Sequence, residues 1–346
     1  MRRTASGGGA RTVRPPLAPS TVPERGAHVP DFELPSYAEL LVRQDGRPPG
    51  TAWGVFGDDD ELGTVNLLTT ARVLDGVREV RRGDVHSLNW RIDQPSPNPW
   101  RQPPKRTHLS AGNAVGRDDY LAPFYLQFSS QWDGLRHVRE PEGFYNGVSA
   151  EAVDAPDATI LGIQVWAHHA IVGRGVLLDV AHYQAAAGKP IDQATRFEIG
   201  PDLLDATMEA QSVQVLEGDV LLIRTGWAGW YEALSTSQRQ EALTAHSPQP
   251  GLAPTDETAA WLWDHHVAAV AADNTALEAA PLQFQGGRFL HPRLIAGFGL
   301  AIGEHFWLDD LATACRDEAR WTFLFTSAPL NVPGGVGSPP NALAIR

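Results

Sequence analysis

Cysteine is almost missing from this sequence: Cys315 is the only one among 346 residues. No disulfide within the chain and no thiolate metal cluster can form, so a metal site must draw on His, Asp, Glu, amides or water. Those donors favour harder ions such as Zn, Mn or Mg. A cysteine-poor chain also suits a reducing compartment, and a cytoplasmic location is expected. Long apolar runs are missing too. No stretch approaches the ~18–20 consecutive apolar residues of a membrane helix. Arg2-Arg3 is not followed by the apolar run of ~7–15 residues that an export signal requires. Positive charge is scarce, with 28 Lys and Arg against 41 Asp and Glu and a formal net charge of −13. Such a surface repels phosphate backbones, which argues against a nucleic-acid partner.

Familiar phosphate and nucleophile motifs are absent as well. No Gly-x-Gly-x-x-Gly joins a strand to a helix, and no Walker-type Gly-x4-Gly-Lys occurs, so no nucleotide cofactor is expected. There is no Gly-x-Ser-x-Gly elbow and no His-Glu-x-x-His pair. Gly334-Gly-Val-Gly-Ser338 is glycine-rich, but Pro339-Pro340-Asn341 follows and cannot start the helix a phosphate loop needs. A tight turn is expected there.

What remains is ordinary globular material, 42% hydrophobic and 20% charged, enough to bury a sizeable core. Residues 1–34 hold most of the early arginine, glycine and proline and read as a disordered arm. Residues 35–346 show no clean boundary and read as one domain. Ser36 caps a helix start, and 69–82 place Val73, Val77 and Val80 on one helical stripe that Gly83 stops. Residues 84–90 read as a strand and 94–120 as a long surface excursion. Apolar runs beginning at Gly175, Gly218 and Val267 suit fully buried strands. Helical patterns near 200–211, 236–245 and 255–265 lie between them. Strands alternating with helices predict an α/β protein with a mixed central sheet flanked by helices.

The segment Gln127-Phe-Ser-Ser-Gln131-Trp-Asp133-Gly-Leu-Arg-His137 carries the chemistry. In an extended chain, Gln131 and Asp133 face one side, and Gly134 permits a bend that returns His137 toward it. Two readings stay open on spacing alone: a buried strand edge whose amides satisfy backbone groups, or a cluster that binds metal or water. His108, in the long excursion, is placed to close over a substrate. Trp132 and Trp227 are candidates to wall an aromatic-accepting pocket. The adjacent pairs His168-His169 and His265-His266 read as hydrogen-bonded structural histidines, because neighbours on a helix point about 100° apart.

The same segment resembles the signature His-x-Gly-Thr-His-x-Asp-x-Pro-x-His of the putative cyclase family, which includes kynurenine formamidase and isatin hydrolase. Five further blocks are similar to those of its longer members: Asp59 to Leu68, Gly173 to Asp179, Gly218 to Trp227, Ala272 to Glu278, and Leu290-His291 through Gly303-Glu304. A sixth runs from Ala328 to Asn341. The resemblance covers roughly residues 50–346 and implies the cyclase-like, swivelling β/β/α fold. It implies that Asp133 is a metal-bridging aspartate, His137 the catalytic histidine, and His291 and Glu304 the downstream ligands. Gln127 and Gln131 stand where two metal-binding histidines belong, and Leu135 replaces the proline. On this reading Gln131 offers a carbonyl oxygen to the metal, and Gln127 holds substrate. His305 matches no family position.

The expected activity is hydrolysis of a small amide, formamide, lactam or lactone, with a C–N bond cleaved by metal-activated water and His137 as general acid and base. The alternative is a natural-product cyclase, dehydratase or isomerase with little metal dependence, since two imidazoles have become amides. A non-catalytic ligand-binding member is the third reading. A small-molecule substrate and a homodimer or homotetramer are the expected partners.

Overall fold

The apolar runs bounded by glycine and aspartate become the centre of one large sheet. The computed structural model describes residues 33–110, 115–284 and 289–346. Its strands are, in chain order, β1 (Val85–Ser87), β2 (Arg106–Ser110), β3 (Arg117–Leu121), β4 (Gln131–Asp133), β5 (Ile171–Leu178) and β6 (Glu198–Ile199). They continue with β7 (Val220–Ile223), β8 (Gly251–Leu252), β9 (Ala269–Ala272), β10 (Ala301–Glu304), β11 (Thr322–Ser327), β12 (Gly337–Ser338) and β13 (Leu343–Ile345). Nine of them form a sheet in the order β1-β13-β11-β5-β7-β9-β10-β4-β12. Strands β5, β7, β9 and β10 run parallel to one another, and the other pairings are antiparallel. The sheet is mixed and helices flank it, as the strand–helix alternation predicts.

Val220, Leu221, Leu222 and Ile223 of β7 are all fully buried, so this strand is covered on both faces. Full burial of each such side chain is worth roughly 1.5–3 kcal/mol. The helices begin where polar side chains cap them. Ser36 and Glu39 form a capping box for Tyr37–Leu41, and Thr69 and Thr255 accept from the first turns of Thr70–Arg78 and Asp256–Asp264. Pro201 opens Pro201–Gln211 at a position where its missing N–H costs nothing. The helix expected over 69–82 ends earlier, at Arg78, and Gly83 lies beyond it at φ +81°.

Two expectations need correction. The excursion 94–120 contains a β-hairpin, β2 with β3, in register from Arg106 opposite Leu121 to Ser110 opposite Arg117. Polar residues on both of its faces hid the strand period from the sequence. Residues 334–338 are more than a turn, because Gly337 and Ser338 pair with Asp133 and Trp132 as strand β12. A Cβ on Gly337 would sit 2.7 Å from Gln127 Cγ and from the Trp132 carbonyl oxygen, so glycine is required for that close approach. The arm expected over 1–34 lies outside the described residues except for Glu33 and Leu34, and Leu34 packs on the core. No helix among the described residues is long and apolar enough to cross a membrane.

Candidate functional site

The register between β4 and β10 builds the site. Gln131 is opposite Glu304 and Asp133 is opposite Ile302. Period-two alternation therefore puts Gln131, Asp133 and Glu304 on one face and Trp132 on the other. Trp132 is fully buried there, with its indole Nε1 donating to Ser327 Oγ at 2.9 Å and its ring edge-on to Phe306 and Phe325. The expected pocket wall is a core residue. Gly303, opposite Trp132, leaves it room, since a Cβ at that glycine would lie 3.0 Å from the indole.

After Asp133 the chain turns. Gly134 donates to the Val336 carbonyl and His137 donates back to the Gly134 carbonyl, both at 2.9 Å. The turn brings His137 Nε2 to 3.9 Å from Asp133 Oδ2. From the other side of the site, His291 Nε2 is also 3.9 Å from Asp133 Oδ2 and lies 3.1 Å from Glu304 Oε1. One ligand atom each from Asp133, His291 and Glu304 fall within 4.8 Å of one another, all in buried residues. Four residues, the outermost 171 positions apart in the chain, thus meet at one place: Asp133, His137, His291 and Glu304.

The amides act on the far oxygens of the carboxylates. Gln131 Nε2 donates to Asp133 Oδ1 at 2.9 Å and to Glu304 Oε2 at 2.7 Å, and Gln127 Nε2 donates to Asp133 Oδ1. In this arrangement Gln131 clamps the two carboxylates together. Its NH2 end, which repels a cation, faces the carboxylates, while its Oε1 is buried without a partner. Gln127 likewise supports Asp133. Asp133 Oδ2 is buried and makes no hydrogen bond among the described residues.

That leaves Asp133 Oδ2, Glu304 Oε1 and His291 Nε2 uncommitted or facing each other, one nitrogen and two oxygens from buried residues. The set fits a divalent ion of the Zn, Mn or Mg type, because an orphaned carboxylate oxygen in the protein interior calls for a cation. A residue that sequence reasoning passed over completes the fit. Glu278 Oε1 lies 2.6 Å from His291 Nδ1, and both its oxygens accept from the Leu290 N–H at 3.1 Å. A carboxylate on Nδ1 fixes the tautomer that leaves Nε2 bare for a metal. The only signal was the Ala272–Glu278 block itself, which marks the segment without assigning the glutamate. Glu278→Gln is expected to weaken metal affinity about 10–100-fold, read by competition with a metallochromic chelator. Unchanged affinity would remove Glu278 from the site.

Electrostatics follow from burial. Desolvation would lower the His291 imidazole, but its hydrogen bonds to Glu278 and Glu304 prevail and push it up to about 10. Burial, reinforced by the Asp133 charge, pushes Glu304 up to about 7 against the pull of His291. Both shifts have one origin, carboxylates crowded together in the protein interior. His137 is held below the ordinary histidine value, chiefly by burial, with the charges of His291 and Arg101 adding to it and Asp133 opposing.

Two other predicted residues lie apart from the cluster. His108 is exposed on β2, opposite Asp119 in the hairpin. Trp227 is fully buried in a separate aromatic cluster, stacked on Tyr231 at 4.9 Å and edge-on to Trp90 at 6.3 Å. The Trp90 ring of that cluster is 6.4 Å from His305. Among the paired histidines, His169 Nδ1 bonds the Ala170 carbonyl, His265 Nδ1 the Trp261 carbonyl and His168 the Asn331 amide. The structural reading of those three holds.

Comparison with known proteins agrees with this geometry. The family model described as "Putative cyclase" matches residues 87–279. A crystal structure described as a novel cyclase is 33% identical, with 86% of this chain and 99% of that one covered and a TM-score of 0.76. Isatin hydrolase A from Labrenzia aggregata shares the fold at 17% identity, covering 78% of this chain and 94% of its own, with a TM-score of 0.55. An isatin hydrolase bound to the product analogue thioisatinate does so at 16% identity, covering 80% and 95%, also with a TM-score of 0.55. No curated protein sequence matches the chain. The match over more than half the chain, with a solved relative at one-third identity along nearly its whole length, places this protein in the putative cyclase family.

Proposed function

We infer that this chain is a metal-dependent hydrolase of a small amide, formamide, lactam or lactone, with a C–N bond as its target. The observation that carries the reading is the convergence of Asp133, His291 and Glu304 within 4.8 Å, with His137 Nε2 3.9 Å from Asp133 Oδ2. A divalent ion held by those three residues supplies Lewis acidity and a water of lowered pKa. The protein's own groups do the rest. His137, kept neutral by burial, takes a proton at Nε2 from the attacking water as its oxygen bonds to the carbonyl carbon. It returns that proton to the leaving nitrogen as the C–N bond breaks. Gln127 and Gln131 hold the carboxylates in place, and Glu278 holds the His291 ring. The isatin hydrolases with this fold act on a cyclic amide, which supports a lactam-like substrate here.

A second reading has one specific observation in its favour. The Gln131 amide bridges Asp133 and Glu304 at a position where the family signature has a metal-binding imidazole. A cyclase, dehydratase or isomerase working through His137 with little metal would tolerate that exchange. Elemental analysis of protein purified without chelators separates the two. About one Zn, Mn or Mg per chain, with turnover of a formamide or lactam lost on chelation and restored by the ion, is expected. Turnover that survives removal of the metal would favour the second reading.

A further inference from the structure

The carboxylates of Asp133 and Glu304 each turn one oxygen toward His291. Asp133 Oδ2 is 3.9 Å and Glu304 Oε1 3.1 Å from His291 Nε2. Their other oxygens, Asp133 Oδ1 and Glu304 Oε2, converge on a second point. Gln131 Nε2 marks it, 2.9 Å from the first and 2.7 Å from the second. Asp133, Glu304 and Gln131 are all buried. Two anionic oxygens drawn to one point in a protein interior make a place for positive charge. Here a neutral amide nitrogen fills it. The strand register sets the amide there, because Gln131 is directly opposite Glu304 and shares a face of β4 with Asp133. Gln127 adds a second amide on Asp133 Oδ1, and the close approach of Gly337 holds it, since a Cβ there would come within 2.7 Å of Gln127 Cγ. An amide NH2 satisfies carboxylate oxygens as a donor, yet its hydrogens keep a cation from the same place. The reversed amide would aim its carbonyl oxygen at two carboxylates. The observed orientation is therefore the tolerable one, although it leaves Gln131 Oε1 buried with no partner among the described residues.

We propose that the amide nitrogen of Gln131 occupies a second cation position, and that this side chain limits the centre to a single ion. This rests on the metal-dependent reading and adds to it the residue that sets the ion count. Two ions would clamp the attacking and the departing atoms between them. A single ion leaves the movement of protons to the protein, which is the work assigned to His137.

The test counts ions. Metal-free full-length wild type and Gln131→Glu are titrated with Mn²⁺, and bound ion is read by electron paramagnetic resonance as loss of the free-ion signal. Glutamate keeps the side-chain length, removes both donor hydrogens and sets a carboxylate opposite Glu304, where like charges repel unless a cation lies between them. Wild type is expected to bind about one ion per chain and Gln131→Glu about two, magnetically coupled as ions about 3.5–4 Å apart are. The variant should also gain more thermal stability from Mn²⁺ than wild type does. Gln131→His, which puts an uncharged metal ligand in place of the donor hydrogens, is expected to take two ions as well, and it decides the matter if the glutamate variant does not fold. Two ions in wild type, or one ion in wild type and in both variants, would overturn the assignment. No ion in any of the three fails the metal-dependent reading and this assignment with it, a pattern distinct from one ion in all three, which overturns this assignment alone.

Discussion

His137→Ala is expected to lower turnover of the cleaved amide by about 10²–10⁴-fold while leaving the thermal midpoint close to that of wild type. The size is that of a general base removed from a proton transfer. The mild effect on folding follows from the surroundings of the ring. Its nearest charged partner is Asp133 Oδ2 at 3.9 Å, too far for a hydrogen bond, and the side chain is 26% exposed. Truncation strands no buried polar partner beyond the Asp133 carboxylate oxygen, an acceptor that is already unpaired. The pH profile gives a second reading of the same residue. A general base must be unprotonated, and burial holds His137 below the ordinary histidine value. The acid limb of kcat/KM should then fall below about pH 6.5 in wild type and disappear in the variant's residual activity. Unchanged turnover in His137→Ala would mean the imidazole is a bystander.

The parts of this site that could be read from the sequence are those governed by short-range geometry. Period two places Gln131 and Asp133 together, and Gly134 marks the bend that returns His137. The same rule, applied to the residue between them, already required Trp132 to face away, so its reading as a pocket wall conflicted with the strand that made the site. His291 and Glu304 were reached by resemblance, since nothing in local spacing links them to Asp133. Their meeting depends on β4 pairing antiparallel to β10 at the end of the parallel strands. Glu278 was out of reach for a different reason. A carboxylate that orients a ligand is defined by what lies around it in space. The buried strands near 175, 220 and 269 were legible because burial on both faces leaves an apolar run. The hairpin 106–121 was not, because a strand pair exposed on both faces leaves no such run.

Asp133→Asn should have comparable consequences, and it tests the centre itself. The substitution keeps shape and volume while removing the charge on which the site converges. Asp133 Oδ1 takes hydrogen bonds from both Gln127 and Gln131, so the asparagine oxygen is held at that position and its NH2 is turned to where Oδ2 now lies. A cation would then meet a donor hydrogen in place of an orphaned anionic oxygen, and His291 and Glu304 alone cannot hold it against water. Bound metal should fall from about one per chain to a small fraction, and turnover by about 10³-fold, the loss of several kcal/mol of transition-state stabilisation. Measured against wild type stripped of its metal, stability should not fall, since a buried carboxylate near Glu304 carries a repulsion that the amide lacks. The informative result is therefore the combination: an intact or more stable fold, little metal and little turnover. A variant that keeps its metal would move the ligand set elsewhere, and one that loses its metal but not its turnover would leave His137 working on this scaffold alone.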